Sequence, residues 1–322
     1  MKKTYKILSV VLALVLIVGC FAACGKEESK DANGDASKAA PKVKVIDIAL
    51  TEELYAFGVD KDQPELLAKV NTFIAEIKGN GKFDAICEAY FGDGEKKGVT
   101  SASLDPTKDQ LVVATNAAFE PFEYKVGDKF YGIDMEIAAL LAEYLGQELV
   151  IQDMEFDAVC MTVGQHKCDI AMAGLTINEE RKEYVEFSTS YYTANQKLVV
   201  KGDDTTFDNC KTLEDVEKIL NSFDNTKKAG FQNGTTGNWY VVGDEGWGFA
   251  GLKVEPKGYS NGSLAIQDLI NGNIDFVVID ADPAVFITTA INEVAYLFKH
   301  YVCNNLTYKV GLLFSLRILI YE

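Results

Sequence analysis

The stretch LVVATNAAFEPFEYKVGDKFYGIDMEIAALLAEYLGQELVIQDM, residues 111–154, decides the fold class. Its first six residues, LVVATN (111–116), form an apolar, β-branched run of the kind seen in strands buried on both faces. MEIAALLAEYLG (135–146) then places apolar residues at helical spacing and stops at a glycine. ELVIQDM (148–154) predicts a second strand and DIAMAG (169–174) a third. This β-α-β-α-β order predicts an α/β unit with a largely parallel sheet.

The same alternation continues on both sides. Downstream, KLVVKG (197–202) leads to a helix over TLEDVEKILNSF (212–223), where Thr212 is a candidate N-cap with Asp215 three positions on. Strands follow at 227–232, 252–259 and 274–280, helices at 237–242 and 263–272, and another helix after Pro283. Upstream, VKVIDI (43–48) and LYAFGV (54–59) predict strands, and 65–79 and 83–91 predict helices. The polar segment 92–110 breaks the periodicity and predicts a surface connection. With 322 residues, two α/β lobes are expected.

The formal net charge of −17 repels phosphate backbones, and no basic stripe offsets it, so no nucleic-acid partner is expected. Residues 1–24 begin with MKKTYK and an apolar run, the pattern of an export signal. Cys20 and Cys24 each follow apolar and small residues in the manner of a lipoprotein box. Cys24 is the expected lipidation site, with Cys20 the alternative, because a polar run follows Cys24 directly whereas Cys20 would expose Phe21. That polar run, 25–42, is expected to be a flexible tether. Cysteines 87, 160, 168, 210 and 303 lack paired spacing and are expected to be mostly buried free thiols.

His166 and His300 are the only histidines, and neither lies in a hydrolase or zinc-enzyme motif, so no catalytic residues are expected. Cys160, His166 and Cys168 raise a metal reading, but a fourth ligand is missing nearby, and neither metal nor cofactor is expected. Four segments fall instead where α/β sheets bind ligands, at the carboxyl ends of strands. FQNGTTG (231–237) joins a strand to a helix, so its amides and hydroxyls suit a carboxylate, unless it is an ordinary glycine turn. AGLTINEER (173–181) brings Gly174, Thr176 and Arg181, although EERKE read alone is equally a solvated helix charge. IDFVVIDADPA (274–284) ends a strand in Asp280, which suits an ammonium group or a helix N-cap. TNAAFEPFEY (115–124) offers Asn116 and Phe119 as a polar contact and an aromatic wall, or as core packing.

These segments, with GIDMEIAALLAEYLG and the FDA of 156–158, resemble the bacterial extracellular solute-binding proteins of family 3, over roughly residues 43–295. The resemblance implies a two-lobe, type II periplasmic-binding-protein-like fold with a hinge, with 51–60 and 193–202 as the crossing segments. It implies that Arg181 clamps a ligand α-carboxylate, with Thr176, the backbone at Gly174, Thr235 and Thr236 assisting. Asp280 would hold the α-ammonium, Phe119 and Phe156 would sandwich the side chain, and Gln232 and Asn116 would tune specificity. Many relatives for basic amino acids or glutamine carry aspartate where Asn116 stands, so this departure argues against a strictly cationic ligand, and a neutral polar amino acid is the expected ligand.

The segment ending AYFGDGE (89–95) resembles the part that closes this family's chains, yet here it comes first, so the order resembles a circular permutation. The expected organisation is a lipoprotein signal peptide (1–24), a tether (25–42), lobe I from 51–96 and 109–200, lobe II from 43–50 and 201–295, and an atypical tail (296–322). The implied role is that of a monomeric, lipid-anchored receptor on the outer face of a Gram-positive-type membrane, passing a free amino acid to an ABC permease. A dehydratase-like enzyme or a ligand-sensing lipoprotein on the same fold is the alternative.

Overall fold

A computed structural model describes residues 41–297. The signal peptide, Cys20, Cys24, most of the tether and the tail from 298 lie outside the described residues. The chain divides into two compact units. The larger comprises Val45–Val200 and Thr205–Ile287; the described part of the smaller comprises 41–44, 201–204 and 288–297. Within the smaller unit, Asn292 Nδ2 donates to the Val43 carbonyl (2.8 Å), and its Oδ1 accepts from the Lys42 amide (2.8 Å).

Two mixed sheets organise the larger unit. The first runs Val185–Phe187, Gly58–Asp60, Ile170–Ala171, Gln110–Thr115, Glu148–Asp153. Gln110–Thr115, fourth in this order, pairs in parallel with both neighbours, as the apolar run at 111–116 predicts. Gly58–Asp60 is antiparallel to both of its neighbours. In the second sheet, Lys228–Gln232 lies between Glu255–Tyr259 and Phe276–Asp280, parallel to both. Gln196–Lys201 joins the far side of Phe276–Asp280 in antiparallel register. The two sheets therefore share one plan: three parallel strands, with the first in chain order at the centre, then an antiparallel strand from elsewhere in the chain.

Helices cover the sheets with stripes their sequence dictates. Pro64–Gly79 starts on a proline, which loses nothing at a position whose N–H has no helical partner. It buries Val70, Phe73, Ile74 and Ile77 in the first core, each contributing roughly 1.5–3 kcal/mol. Ile133–Leu145 ends at Gly146 in the left-handed region, with φ 74°. Leu213–Leu220 begins with a capping box: Thr212 accepts from the Asp215 amide while the Asp215 carboxylate accepts from the Thr212 amide. The final helix, Ala281–Leu297, starts two residues before Pro283, which falls in its first turn, where proline is tolerated.

LYAFGV does not form one strand. Glu53–Tyr55 pairs with Tyr192–Ala194 in a separate two-stranded ribbon, and Gly58–Asp60 enters the first sheet. The break follows from hydrogen bonding: the Ala56 amide donates to the Leu175 carbonyl and the Phe57 amide to Ser188 Oγ, both at 3.0 Å. The ribbon falls in or beside both segments expected to cross between lobes.

Candidate functional site

Local structure delivers the site residues one by one. Arg181 lies in the short helix Glu179–Lys182, whose N-cap Asn178 accepts from the Arg181 amide at 2.7 Å. Its guanidinium donates from Nη1 to the Thr176 carbonyl (2.7 Å) and from Nη2 to the Gly234 carbonyl (2.9 Å). The rings of Phe156 and Trp239 lie 5.1 and 5.2 Å from its central carbon, close enough for cation–π attraction. Thr235 caps the helix Thr236–Val242, which follows the Lys228–Gln232 strand, and its hydroxyl donates to the Gln232 carbonyl at 2.8 Å.

Asp280 ends the Phe276–Asp280 strand and is buried. Burial pushes its carboxyl up to about 7, the nearby Glu53 carboxylate adds to the rise, and hydrogen bonds from Tyr55 and Gln196 oppose it. Gly174 has φ 53°, and a Cβ there would meet the Phe119 ring at 3.0 Å. Glycine is thus required twice over, by the backbone and by the ring laid against it.

Phe119, Phe156, Gly174, Thr176, Arg181, Gln232, Thr235, Thr236 and Asp280 line one cavity. These are nine of the ten residues singled out from the sequence. Asn116 stands one step behind them: Gln232 Nε2 donates to its Oδ1 at 3.0 Å, and its Nδ2 donates to the Met154 carbonyl at 2.7 Å. The cavity measures about 10 Å3, about what one water molecule needs. Arg181 is its one cationic lining residue and Asp280 its one acidic one.

Sequence reading missed the residues that hold these groups. Tyr55 donates its hydroxyl to Asp280. Glu53 accepts from Thr176 and Thr236. Asp134 accepts from the Gly174 amide at 2.9 Å and from Tyr191 at 2.6 Å. No motif marks them: each acts through a partner remote in sequence. Asp134 is pushed up to about 7 by burial, and Glu123, wholly buried, is also raised, by burial and then by the Asp134 and Asp280 charges.

His166 does not join Cys160 and Cys168. Its Nδ1 lies 2.8 Å from Asp60 Oδ2 and its Nε2 3.6 Å from Asp62. Cys160 and Cys168 are buried free thiols, while Cys87 and Cys210 are free but only partly buried. His166 stands two residues past the helix Val159–Gly164, with φ 59°.

Residues that follow strands of both sheets thus line one small cavity, with a guanidinium and a buried carboxylate among its walls. The family model of the bacterial extracellular solute-binding proteins, family 3, matches residues 111–242. The fold is mixed α/β, with two five-stranded sheets. Similar proteins include the arginine-binding extracellular protein ArtP of Bacillus subtilis (strain 168), 39% identical over 106 residues, which are 33% of this chain and 42% of that protein. The L-cystine-binding protein TcyJ of Escherichia coli (strain K12) is 28% identical over 186 residues, 57% of this chain and 63% of TcyJ. The chain thus spans less than two thirds of the length of either relative. Among solved structures, holo ArgBP from T. maritima is 34% identical, with a TM-score of 0.46, over 56% of this chain and 73% of ArgBP.

Proposed function

We propose that this protein binds a free amino acid in the Arg181–Asp280 cavity and presents it to the permease of an ABC importer, without chemical change. The observation that carries the reading is the joint placement of Arg181 and Asp280 on one cavity wall set. A guanidinium is matched to an α-carboxylate, and a buried carboxylate to an α-ammonium. Phe119 and Phe156 supply apolar walls for the ligand side chain. Asn116 and Gln232 form a neutral amide pair, which favours a neutral polar side chain.

Lobe I would comprise 51–96 and 109–200, and lobe II 43–50 and 201–295, with the chain order permuted relative to the family. What supports permutation is the Gly58–Asp60 strand, which precedes the central Gln110–Thr115 strand in sequence yet lies between two strands that follow it. Lipid attachment at Cys24, a tether over 25–42, a location on the outer face of the cell membrane and an atypical tail over 296–322 complete the proposal.

A thermal-shift screen of the twenty amino acids and cystine tests the ligand class, because a ligand that binds only the folded state raises the melting temperature. A rise with one or a few of them, absent in Arg181→Ala, is the expected result. No rise with any amino acid would refute the reading.

A further inference from the structure

Glu53 is an acid at the centre of the molecule to which neither the carboxylate grip of Arg181 nor the ammonium contact of Asp280 assigns a task. It is 2% exposed and sits on the Glu53–Tyr55 ribbon strand. Its Oε2 accepts from Thr176 Oγ1 and from Thr236 Oγ1, each at 2.7 Å. Its Oε1 accepts from Thr51 Oγ1 at 2.6 Å and from Gln196 Nε2 at 3.1 Å. Thr176 follows a strand of the first sheet, and Thr236 opens a helix of the second.

The direction of these bonds matters. An ionised carboxylate only accepts, and a threonine hydroxyl has one proton and two lone pairs. Once Thr176 and Thr236 give their protons to Glu53, their hydroxyls have only lone pairs left for the cavity they line. Lone pairs attract N–H donors and repel a carboxylate. The two hydroxyls therefore fit the ammonium end of a ligand beside Asp280, and the carboxylate end is left to Arg181 and to backbone amides.

We propose that Glu53 is a positioning residue that sets the hydrogen-bond polarity of Thr176 and Thr236, so that with Asp280 they form a three-acceptor seat for a primary ammonium group. The assignment rests on the amino-acid-binding reading. It also moves Thr176 and Thr236 from the carboxylate side of the ligand, where the family resemblance put them, to the amine side.

The test compares amino acids with α-hydroxy acids, which keep the carboxylate and side chain but lack the ammonium. L-glutamine, L-arginine and L-cystine are titrated calorimetrically into the unaltered protein, and the one that binds most tightly is paired with its hydroxy analogue. The unaltered protein should prefer the amino acid strongly. In Glu53→Gln the amide nitrogen donates to one of the hydroxyls and turns that hydroxyl's proton toward the cavity. The preference should then narrow about tenfold or more, the loss expected for a hydrogen bond to a charged group. Thr236→Val, which removes one acceptor and its bond to Glu53 while keeping the Glu53 carboxylate and its bond from Thr176, should narrow it in the same direction and carries the test if Glu53→Gln fails to melt cooperatively. If Glu53 is only a structural tie, both ligands weaken alike and the preference is unchanged, which overturns the assignment while leaving the functional reading intact. Binding of none of these three, nor of any other of the twenty amino acids, to the unaltered protein overturns both.

Discussion

The guanidinium of Arg181 donates to the carbonyl of Gly234 at 2.9 Å, joining a residue that follows a strand of the first sheet to the turn after a strand of the second. With Nη1 spent in part on Thr176 and the rings of Phe156 and Trp239 alongside, the group is fixed before any ligand carboxylate arrives. Arg181→Ala should weaken amino-acid binding by about 2–5 kcal/mol, the cost of removing one partner of a buried charge pair. Arg181→Lys should recover little of it, since an ammonium lacks the planar fork that serves two carbonyls and a carboxylate together. Unchanged calorimetric affinity in Arg181→Ala would exclude the carboxylate role.

Asp280 makes binding depend on pH. Its carboxyl is pushed up to about 7, mainly by burial and then by Glu53, with Tyr55 and Gln196 opposing; Glu123, Asp134 and, two residues on, Asp282 are also raised, each mainly by burial. An ammonium beside Asp280 favours the ionised form, so binding lowers this value and releases a proton wherever the acid starts protonated. Affinity should be level above about pH 7 and fall by up to about tenfold per pH unit as pH drops below it, until the lowered value of the complex is reached. Titrations between pH 5 and 8 should show this slope, and Asp280→Asn should bind weakly with the slope removed. An equal slope in that variant would move the titrating group elsewhere, Asp134 first.

Gly174→Ala should damage stability and binding together. The residue holds φ 53°, and its new Cβ would press on Phe119 at 3.0 Å. The left-handed backbone alone costs roughly 1–2 kcal/mol for a residue with a Cβ. A melting temperature lower by several degrees, with weaker ligand binding, is the expected pair of results.

Thr212→Ala separates stability from binding. The capping box at the start of Leu213–Leu220 is remote from the cavity lining, and its loss should cost about 1 kcal/mol. Denaturant melts should shift, and calorimetric affinity should not.

Much of this site was legible because strands announce their own ends. An apolar run that stops in Asp280, or in GLTINEER with Arg181, tells where a side chain must emerge, whatever the rest of the chain does. Glu53 was illegible for the opposite reason. It is one of two adjacent acids in TEEL, and the hydroxyls it serves are 123 and 183 positions away. Only the ribbon pairing of Glu53–Tyr55 brings it to them. Reading LYAFGV as a single strand failed similarly, since the amides of Ala56 and Phe57 turn to partners that no local pattern displays. The sequence around His166 displays only Cys160 and Cys168 as candidate partners, whereas its charge partners sit 106 and 104 positions back, at Asp60 and Asp62.

A cavity of about 10 Å3 also sets a clock. No amino acid fits such a space, so Arg181 and Gly234, and the threonines joined through Glu53, must part before one can enter. If the protein binds an amino acid as proposed, capture would run through a gate whose opening is independent of how much solute waits outside. In stopped-flow mixing, the observed binding rate should climb with amino-acid concentration only until it meets the gate's own opening rate. The measured dissociation constant should exceed that of the open site by the inverse of the open fraction, so loosening the Arg181–Gly234 and Glu53 contacts trades retention of the solute for speed of capture.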